Sequence, residues 1–558
     1  MLKKLKKDLI VSINKSILSS FPSLKDRPLR VHLDIPKDRN NGHLSTNAAF
    51  QISSLVEESP LKTAELICES LSARLKKSKL QNRIMKVEVR KPGFINFFYT
   101  RNFLYRLLRV IADSPNKFIS SNSGKGMKVQ IEFVSANPTG LLSIAHGRQA
   151  AVGDAIAGIL NFHGYKVTRE YFINDEGNQI DALGKSVMAR YLELQGKEAS
   201  LPEDGYEGAY IIDIARKFTN KFNKNSLDKK KLNTLKIVSM FSVKRIMDEI
   251  KEDLEALGVH MDVWFSQKKL SRADKIGQVI KELKKKGLIY KKDNALWFKS
   301  TRFGDDKDRV IRKSSGEYTY LAPDIAYHKN KLERKFGKVI NIWGPDHHGY
   351  IARLQAAVSA LGAPEGFLEI LIIQLATLYK NGRPVSMSTR KGQYITLKEL
   401  TQEVGKDVAR FFFLMRKRSS HLDFDLELAK KRSMDNPVYY IQYAYARISG
   451  IIELEKKEAK KLPRCKYALL DKPEELNLIM TLIEFPAVLE SSAASFEPYY
   501  LTVYLRQLAD AFHSFYQKNR VLSDDLAMTA VRLKLIKAVR NVLHKGLNLL
   551  GVSSPVKM

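Results

Sequence analysis

The clearest change in the pattern of apolar and polar positions begins at residue 128. Residues 128–134, KVQIEFV, are apolar and β-branched enough for a buried strand. Pro138 and Gly140 interrupt the pattern, and a helix is predicted to open near His146. Small residues follow on that helix at Ala150, Ala151, Gly153, Ala155, Ala157 and Gly158. Small side chains let a helix lie close to a sheet, so this stretch predicts the strand–turn–helix unit of an α/β domain.

Similar runs follow along the chain. Residues 166–175 and 338–343 have the pattern of strands, and the nearly continuous apolar run at 369–375 suits a buried parallel sheet. Helical spacing of apolar positions dominates residues 181–310 and the chain from residue 401 to its end. The pattern predicts an α/β domain, a largely helical segment within it, and an all-helical region after it.

The turn after residue 134 has the outline of a phosphate site. A tight turn of small residues before a helix points backbone N–H groups and the positive helix end toward an anion. His146 lies at the mouth of this turn. An ordinary βα turn has the same features, so the pattern alone leaves both interpretations open.

Length and composition limit the classes of protein that fit. A chain of 558 residues predicts three or four domains, and a hydrophobic content of 44% is enough for their cores. We expect no membrane span, and the lysine-rich start predicts an amphipathic helix rather than a signal peptide. The two cysteines, Cys68 and Cys465, fit a reducing compartment and argue against a disulfide framework or a cysteine zinc site.

The net charge changes this picture most. Lys and Arg total 94 against 60 Asp and Glu, which gives a formal net charge of +34. Such an excess is typical of proteins with a polyanionic partner, although a generally basic surface is the alternative. Basic and aromatic residues also alternate in residues 91–104. That mixture suits RNA, which offers phosphates and unstacked bases, but a core strand with basic ends fits equally well.

Two adjacent histidines, His347 and His348, raise the question of a metal site. Neighbouring residues on a strand or helix point to different sides, and the chain has no HExxH-type spacing. We therefore expect no metal ion held by protein side chains alone.

Several blocks of the sequence together resemble one family. IEFVSANPTGLLSIAHGR is similar to the HIGH region of class I aminoacyl-tRNA synthetases, and REYFINDEGNQI, GPDHHGY and NPVYYIQYAYARI resemble arginyl-tRNA synthetases in particular. GHLSTNAAF and KPGFINFFY resemble the N-terminal additional domain of that family. Two signatures depart from the usual form. Ser143 and Ala145 replace the first His and the Gly of HIGH, and residues 386–390, SMSTR, lack both lysines of KMSKS.

The resemblance implies a fold and a reaction. The implied fold is α/β, with a doubly wound, Rossmann-like parallel sheet, an N-terminal α+β domain and a C-terminal all-α bundle. The implied domains are 1–112, then 113–400 with a helical insertion at 181–310, then a DALR-type anticodon-binding domain at 401–558. The implied reaction activates L-arginine with ATP to arginyl-adenylate and transfers it to the 3′ end of tRNA(Arg).

By this resemblance, five residues form the arginine pocket. A guanidinium group pairs in a bidentate way with carboxylates. Glu132 and Asp324 are expected to hold it, and Tyr320 to close one side. Asn137 is expected at the α-amino group, and His347 or Asp346 near the substrate carboxylate. Without the resemblance, Glu132 paired with a surface lysine and Tyr320 packed in a core would be the simpler interpretations.

The ATP site is implied to combine the helix start with a basic loop. His146, Ser143, Arg390 and Lys391 are the expected catalytic groups, and Mg²⁺ is expected to accompany the phosphates. The implied ATP contacts are Ala136, Pro138, Thr139, Gly140, Ala145, His146, Gly147, Ser386, Met387, Ser388 and Thr389.

The implied tRNA contacts lie in the two outer domains. Asn96 and Tyr99 are expected at the tRNA elbow, and Tyr439, Tyr443 and Arg447 in the anticodon-binding domain. The resemblance also implies a cytoplasmic monomer that does not bind a membrane.

Three other functions stay open at this point. The altered signatures fit an RNA-binding protein that has lost catalysis, although such a protein has no need of an arginine pocket. A synthetase for another amino acid is a second alternative, but two acidic residues in one pocket do not suit an apolar side chain. A nucleotidylyltransferase with the same nucleotide fold is the third, and it would not require a C-terminal helical domain.

Overall fold

A computed structural model describes residues 1–36, 38–119, 121–222, 231–385, 395–459 and 461–558. The N-terminal region begins with a helix whose apolar residues at four-residue spacing, Leu5, Leu9, Ile13 and Ile17, are fully buried. Its elements are α1 (Leu2–Ser20), β1 (Leu44–Thr46), α2 (Ala48–Ser53), α3 (Pro60–Lys76), β2 (Ile84–Arg90), β3 (Phe94–Tyr99), α4 (Arg101–Asp113) and α5 (Pro115–Ile119). The strands form an antiparallel sheet in the order β1-β3-β2, so this region is the predicted α+β domain.

The middle of the chain is built on a five-stranded parallel sheet. Its first elements are β4 (Lys128–Glu132), α6 (Ile144–Phe162), β5 (Lys166–Ile173), α7 (Asn178–Glu193), α8 (Ala209–Lys221), α9 (Lys231–Ala256), β6 (Val263–Ser266), α10 (Lys268–Arg272) and α11 (Lys275–Lys285). The next are β7 (Ile289–Lys292), β8 (Ala295–Phe298), β9 (Arg309–Arg312), α12 (Leu321–Glu333), β10 (Lys338–Trp343), α13 (Ile351–Ala360) and β11 (Leu368–Ile372). The strand order is β11-β10-β4-β5-β6, which confirms the predicted doubly wound parallel sheet.

This strand order places a crevice beside β4. The chain runs outward from β4 to β5 and β6 on one side, and β10 and β11 fill the other side. The order therefore reverses between β4 and β10. In open α/β sheets, ligands bind at such a switch point, outside the carboxyl ends of the strands.

The segment at 181–310 is less uniform than its pattern predicted. Helices α7 to α11 account for much of it, as expected, but β6 joins the central sheet, and β7, β8 and β9 form a separate antiparallel sheet. Each of these four strands has four residues. Runs this short give little period-two signal, which explains why the pattern missed them.

The prediction that the chain is helical from residue 401 onward is wrong at one strand. The elements that follow β11 are β12 (Ala376–Lys380), β13 (Arg383–Pro384), α14 (Leu397–Val404), α15 (Lys406–Leu414), β14 (Leu422–Asp425) and α16 (Leu426–Lys430). β14 pairs in parallel with β12. Leu422 and Phe424 are buried while Asp423 and Asp425 are exposed, so the strand shows the alternation of a half-buried edge.

The C-terminal region is the predicted helical bundle. It consists of α17 (Pro437–Glu458), α18 (Pro473–Ser495), α19 (Tyr499–Lys518) and α20 (Leu526–Leu549). Asn436 caps α17 by accepting from Val438 N at 3.1 Å, with Pro437 at the first helical position. By length and composition, α18 is the described helix that could cross a membrane, but half of its apolar stretch is buried in the bundle. Core helices of bundles meet the same criterion.

Candidate active site

Three polar residues of the central sheet lie side by side near the crevice. Asn341 on β10 is in register with Glu132 on β4, and Glu132 is in register with Glu170 on β5. Residues in register on neighbouring strands face the same side of a sheet. Their partners come from α12. Tyr327, for example, donates from its hydroxyl to Glu170 Oε1 at 2.6 Å. The helix therefore covers a row of polar side chains at the carboxyl end of β4.

The turn after β4 is strained and tightly held. Val134 and Ser135 have positive φ angles of 69° and 38°. For a β-branched residue, the left-handed region costs on the order of 1–3 kcal/mol. The Ser135 hydroxyl donates to Glu132 Oε1 at 3.2 Å, and the Tyr171 hydroxyl donates to the carbonyl oxygen of Ala136 at 2.8 Å. Strained turns that neighbouring groups hold in place are typical of functional sites.

His146 is a neutral hydrogen-bond donor at the start of α6. The backbone N–H of Ser143 donates to His146 Nδ1 at 3.1 Å, and the Ser143 hydroxyl lies 3.1 Å from the same nitrogen. A neutral imidazole that accepts at Nδ1 carries its proton on Nε2. Burial lowers the pKa of His146 to about 4, and the nearby carboxylate of Asp346 opposes this shift. His146 is therefore uncharged at neutral pH and can donate from Nε2.

Small residues bring α6 close to its neighbours, as its sequence predicted. A Cβ atom added at Gly153 would lie 2.4 Å from the ring of Phe133, directly after β4. A Cβ atom added at Gly147 would lie 2.6 Å from Leu397 and 3.0 Å from Phe413. Gly147, an expected ATP contact, is thus a packing residue between α6, α14 and α15.

Glu132 is buried and paired with a lysine that is also buried. The Lys331 ammonium group donates to Glu132 Oε2 at 2.6 Å and to Asn341 Oδ1 at 3.0 Å. The relative exposure is 8% for Glu132 and 0% for Lys331. The pairing of Glu132 with a lysine does occur, but the lysine belongs to the core rather than the surface.

Asp324, on the first turn of α12, faces the same pocket. The Tyr350 hydroxyl donates to its Oδ2 at 2.7 Å. Burial raises the pKa of Asp324 to about 7. The Tyr350 hydrogen bond opposes this rise, the charge of Glu132 adds to it, and the charge of Lys331 opposes it. Because the charge of Glu132 acts on Asp324, the two predicted guanidinium ligands are neighbours.

Family models cover most of the chain in three consecutive blocks. Residues 3–99 match the arginyl tRNA synthetase N terminal domain, residues 110–422 match the catalytic domain of class I tRNA synthetases (R), and residues 441–558 match the DALR anticodon binding domain. The chain belongs to the arginyl-tRNA synthetase family. It is therefore an aminoacyl-tRNA ligase of class I, and such enzymes use ATP.

Related proteins are similar in sequence along nearly the whole length of the chain. The arginine–tRNA ligase of Moorella thermoacetica is 45% identical over 529 residues, which cover 94% of this chain and 93% of that protein. The arginine–tRNA ligase of Bacillus cereus is 43% identical over 552 residues and 98% of each chain. The arginyl-tRNA synthetase structure of Thermus thermophilus has a TM-score of 0.77 at 19% identity, covering 98% of this chain and 99% of that chain. At this identity, the match to the Thermus structure shows a shared fold.

The other three predicted arginine ligands of this synthetase-family chain have exposed side chains. Asn137 donates from Nδ2 to Gln179 Oε1 at 2.7 Å. Tyr320 directly precedes α12 and is 70% exposed. The ring centroid of His347 lies 5.9 Å from that of Trp343 at the end of β10. The structure thus brings Glu132 and Asp324 together but places no side-chain contact between Tyr320 and Asp324 within the described residues.

The remaining ATP residues divide into three groups. Pro138 and Thr139 are buried, and Ala136, Gly140 and Ala145 are half-buried along the turn and the helix start. The third group is the predicted KMSKS segment with its basic neighbour, and it lies outside the described residues: Ser386, Met387, Ser388, Thr389, Arg390 and Lys391.

The described chain on the far side of that segment returns to the start of α6. The backbone N–H of Leu397 donates to the carbonyl oxygen of Leu142 at 2.7 Å, and Thr396 forms an isolated antiparallel bridge with Ser143. The described chain that follows the second signature is thus adjacent to the first signature at the start of α6.

The N-terminal tRNA prediction finds little support in the positions of its residues. Asn96 and Tyr99 are 2% and 4% exposed, because β3 is the central strand of its sheet. The Tyr99 ring stacks on His43 at 4.9 Å inside the domain. On the same sheet, Phe94 is 40% exposed, and the Lys86 ammonium group lies 4.8 Å from the ring centroid of Phe98. These side chains, rather than Asn96 and Tyr99, offer the basic and aromatic surface.

The predicted tRNA contacts of the C-terminal region lie together on one face of α17. The rings of Tyr439 and Tyr443 are nearly parallel, with centroids 6.2 Å apart. The Arg447 guanidinium lies 4.6 Å from the ring centroid of Tyr443 and 4.9 Å from that of Tyr516. All three predicted residues are half-buried. They form a continuous aromatic and cationic surface.

Sequence reasoning missed four residues behind the carboxylates: Tyr350, Lys331, Asn341 and His328. A signal for two of them was present. His328 and Lys331 follow Asp324 by four and seven residues, and this spacing puts all three on one face of a helix. Asn341 and Tyr350 depend on strand register and on the turn after β10, which the pattern does not reveal.

Proposed function

We propose that Glu132 and Asp324 bind the guanidinium group of L-arginine at the switch point between β4 and β10. The observation that carries this proposal is the pair of neighbouring carboxyl groups, each of which the protein holds by hydrogen bonds. Glu132 Oε2 accepts from Lys331 and Oε1 from Ser135, and Asp324 Oδ2 accepts from Tyr350. Each carboxylate oxygen has two lone pairs, so the pair can still accept from a ligand with several N–H donors in one plane, which describes guanidinium better than an ammonium ion. The Glu132→Gln variant tests this assignment.

The start of α6 is the proposed phosphate site. His146 can donate from Nε2, and the start of α6 is the positive end of the helix dipole. In the first step, the carboxylate of arginine attacks the α-phosphorus of ATP, and pyrophosphate leaves with the electron pair of the broken P–O bond. In the second, a terminal ribose hydroxyl of tRNA attacks the arginyl carbonyl and AMP leaves. Neutral donors such as His146 stabilise the growing negative charge.

Arg390 and Lys391 remain the proposed cations of the ATP site. Support comes from the neighbouring residues. The segment that carries them ends beside Thr396, which pairs with Ser143 at the start of α6. The side chain of Ser143 carries no positive charge, so a cation that stabilises the phosphates must come from elsewhere in the chain.

Mg²⁺ does not fit a dedicated protein site here. Among the described residues, no group of three or more His, Cys, Asp or Glu side chains could hold a metal ion. We therefore propose that Mg²⁺ enters with ATP and is held mainly by phosphate oxygens and water, as its coordination preferences allow.

The proposed tRNA surfaces are the α17 face and the exposed part of the N-terminal sheet. A net charge of +34 supports binding to a long polyanion. We propose that the enzyme works as a cytoplasmic monomer. The predicted division at residues 112 and 400 also stays a proposal. The pairing of β14 with β12 favours a second boundary after residue 430.

An RNA-binding protein without catalysis remains the second candidate, because Ser143 and Ala145 alter the HIGH signature. The neighbouring carboxyl groups of Glu132 and Asp324 speak against it, since binding to the phosphates of RNA does not use paired carboxyl groups. The two functions differ in one assay. An active ligase releases AMP only when arginine, ATP and tRNA are all present, and a binding protein releases none.

The use of arginine is expected to depend on pH through Asp324. Its raised pKa of about 7 means that the carboxyl group is neutral in acid and cannot pair with guanidinium. We expect kcat/KM for arginine to fall as the pH drops through about 7, approaching tenfold per pH unit below it. The measurement is aminoacylation at fixed saturating ATP and tRNA. A profile for arginine that stays flat down to about pH 5.5 would contradict the assignment.

The aromatic face of α17 is expected to contribute to tRNA binding. Tyr443→Ala removes the ring that stacks on Tyr439 and lies under Arg447. Stacking of a base contributes about 1–3 kcal/mol, so we expect the KM for tRNA to rise roughly 5- to 100-fold. The KM values for arginine and ATP should stay near those of the wild type. Tyr500→Ala, which changes a more exposed tyrosine on α19, is the control and should leave all three values unchanged.

A further inference from the structure

We propose that Lys331 is a positioning residue that fixes the charge and the geometry of the arginine pocket. The inference rests on the proposed pocket of Glu132 and Asp324 and adds a residue that neither the family signatures nor the sequence pattern singled out. Lys331 is fully buried on α12. Its ammonium group lies behind Glu132, away from solvent, so it acts on the substrate through the carboxylate.

Every donor of Lys331 has a partner. The ammonium group donates to Glu132 Oε2 at 2.6 Å and to Asn341 Oδ1 at 3.0 Å, and it lies 4.3 Å from the ring centroid of Tyr327. An ammonium group has three N–H donors, and an aromatic face accepts the third. The cation is therefore locked in one orientation, and with it one oxygen of Glu132.

A directed chain of hydrogen bonds continues from Lys331 to Asp324. Asn341 Nδ2 lies 3.1 Å from His328 Nε2, and His328 Nδ1 lies 2.8 Å from the carbonyl oxygen of Asp324. Because a carbonyl oxygen only accepts, Nδ1 carries the proton and Nε2 accepts from Asn341. Burial holds the pKa of His328 well below its ordinary value, which agrees with this neutral form. The chain joins both carboxylate residues to one frame, so their separation is fixed before arginine arrives.

The charge count gives the lysine a second role. Two ionised carboxylates in one buried pocket repel each other, and one would take up a proton. When Asp324 is ionised, above its pKa of about 7, Glu132, Asp324 and Lys331 together have a net charge of −1, which matches the +1 of guanidinium. A buried ion pair seldom improves stability over apolar packing. Its position directly behind the ligand oxygens points to a role in substrate binding.

The test compares two lysines on the same helix. Lys331→Met removes the buried cation at similar volume. Lys329→Met is the matched control, because Lys329 also pairs with a carboxylate, Glu282 Oε2 at 3.0 Å, but at the surface. The full chain is assayed for aminoacylation with arginine, ATP and tRNA. We expect Lys331→Met to raise the KM for arginine roughly 100-fold. The KM for ATP should change by less than about threefold, and Lys329→Met should change neither value.

The pH profile separates a positioning role from a purely structural one. The groups that act on Asp324 are Glu132 from β4, Tyr350 from the segment after β10, and Lys331 from its own helix. Of these, Lys331 lowers the pKa of Asp324 through its charge. Its removal should therefore move the acid limb of kcat/KM for arginine to higher pH. A lysine that served stability alone would lower the amount of active enzyme without moving this limb.

Two outcomes would overturn the inference. One is a folded Lys331→Met protein with an unchanged KM for arginine, and the other is an equal effect of Lys329→Met. If Lys331→Met does not fold, Lys331→Gln keeps a polar side chain at the site, and the same rise in KM and the same shift in pH profile are expected of it. The proposed pocket is tested separately by Glu132→Gln. An unchanged KM for arginine in Glu132→Gln refutes the pocket. A raised KM in Glu132→Gln together with an unchanged KM in Lys331→Met refutes only the inference about Lys331.

Discussion

Glu132→Gln is expected to raise the KM for arginine on the order of 100-fold or more, because the loss of one partner of a buried charge pair costs about 2–5 kcal/mol. The glutamine keeps the shape of the side chain and removes its charge. It also presents an N–H group where guanidinium needs an acceptor. The KM for ATP should change little, since the proposed phosphate site lies at the start of α6 rather than at the end of β4.

The control for this prediction is Glu369→Gln. Glu369 lies on β11 of the same parallel sheet and pairs with Lys338 Nζ at 3.2 Å near the surface. Both variants lose one carboxylate from one sheet, but only Glu132 faces the switch point. Steady-state aminoacylation with arginine as the varied substrate gives the comparison. Equal KM values for arginine in the two variants would show that the position of the lost carboxylate in the sheet has no effect on arginine binding, and this would contradict the proposed pocket.

The sequence predicted the sheet because its strands are buried on both faces. Residues 128–134 and 338–343 are short runs rich in apolar and β-branched residues between turns, which is a pattern typical of buried strands. β14 was missed because it has four residues and lies between helices α15 and α16. The alternation of Leu422 and Phe424 with two aspartates was present, but pairing with β12 is a long-range contact that local patterning does not contain.

The site was predicted in part. Glu132 and Asp324 came from motif resemblance, and the structure makes them neighbours, while their role in binding arginine stays a proposal. Asn96 was misplaced for a physical reason, because a polar residue in a basic and aromatic stretch resembles a surface contact, while the order β1-β3-β2 makes its strand central. Lys331 shows the opposite error. A lysine on a helix is usually at the surface, and the carboxylate that draws it inward is about 200 residues away in the sequence.

Arg410→Met is expected to destabilise the protein by about 3–5 kcal/mol, because it removes a fully buried cation that donates to three carbonyl oxygens and to Asp154, which keeps Arg169 as its other ion-pair partner. Arg410 belongs to the DVAR tetrad at residues 407–410 and is fully buried. Its Nη2 donates to Asp154 Oδ2 on α6 at 2.5 Å, and its Nε donates to the carbonyl oxygen of Leu550 at 2.9 Å. Nη1 donates to the carbonyl oxygens of Leu257 and Gly258, both at 3.2 Å. One guanidinium therefore joins α6, the chain before β6 and the C-terminal end of α20.

The arrangement around Arg410 makes this loss hard to repair. A methionine fills the volume but offers no donor to three carbonyl groups and one carboxylate, and unsatisfied buried groups cost about 1–3 kcal/mol each. Gly551 packs against the same guanidinium group, so a substitution there tests the same contact. Its φ is +69°, and an added Cβ atom would lie 2.2 Å from Arg410 Nη2, so Gly551→Ala should also destabilise the protein. Chemical denaturation with arginine absent measures both, and Arg416→Met, at an exposed arginine just after α15, is the control. If Arg410→Met unfolds at the same denaturant concentration as Arg416→Met, the C-terminal bundle does not depend on this junction for its attachment to α6.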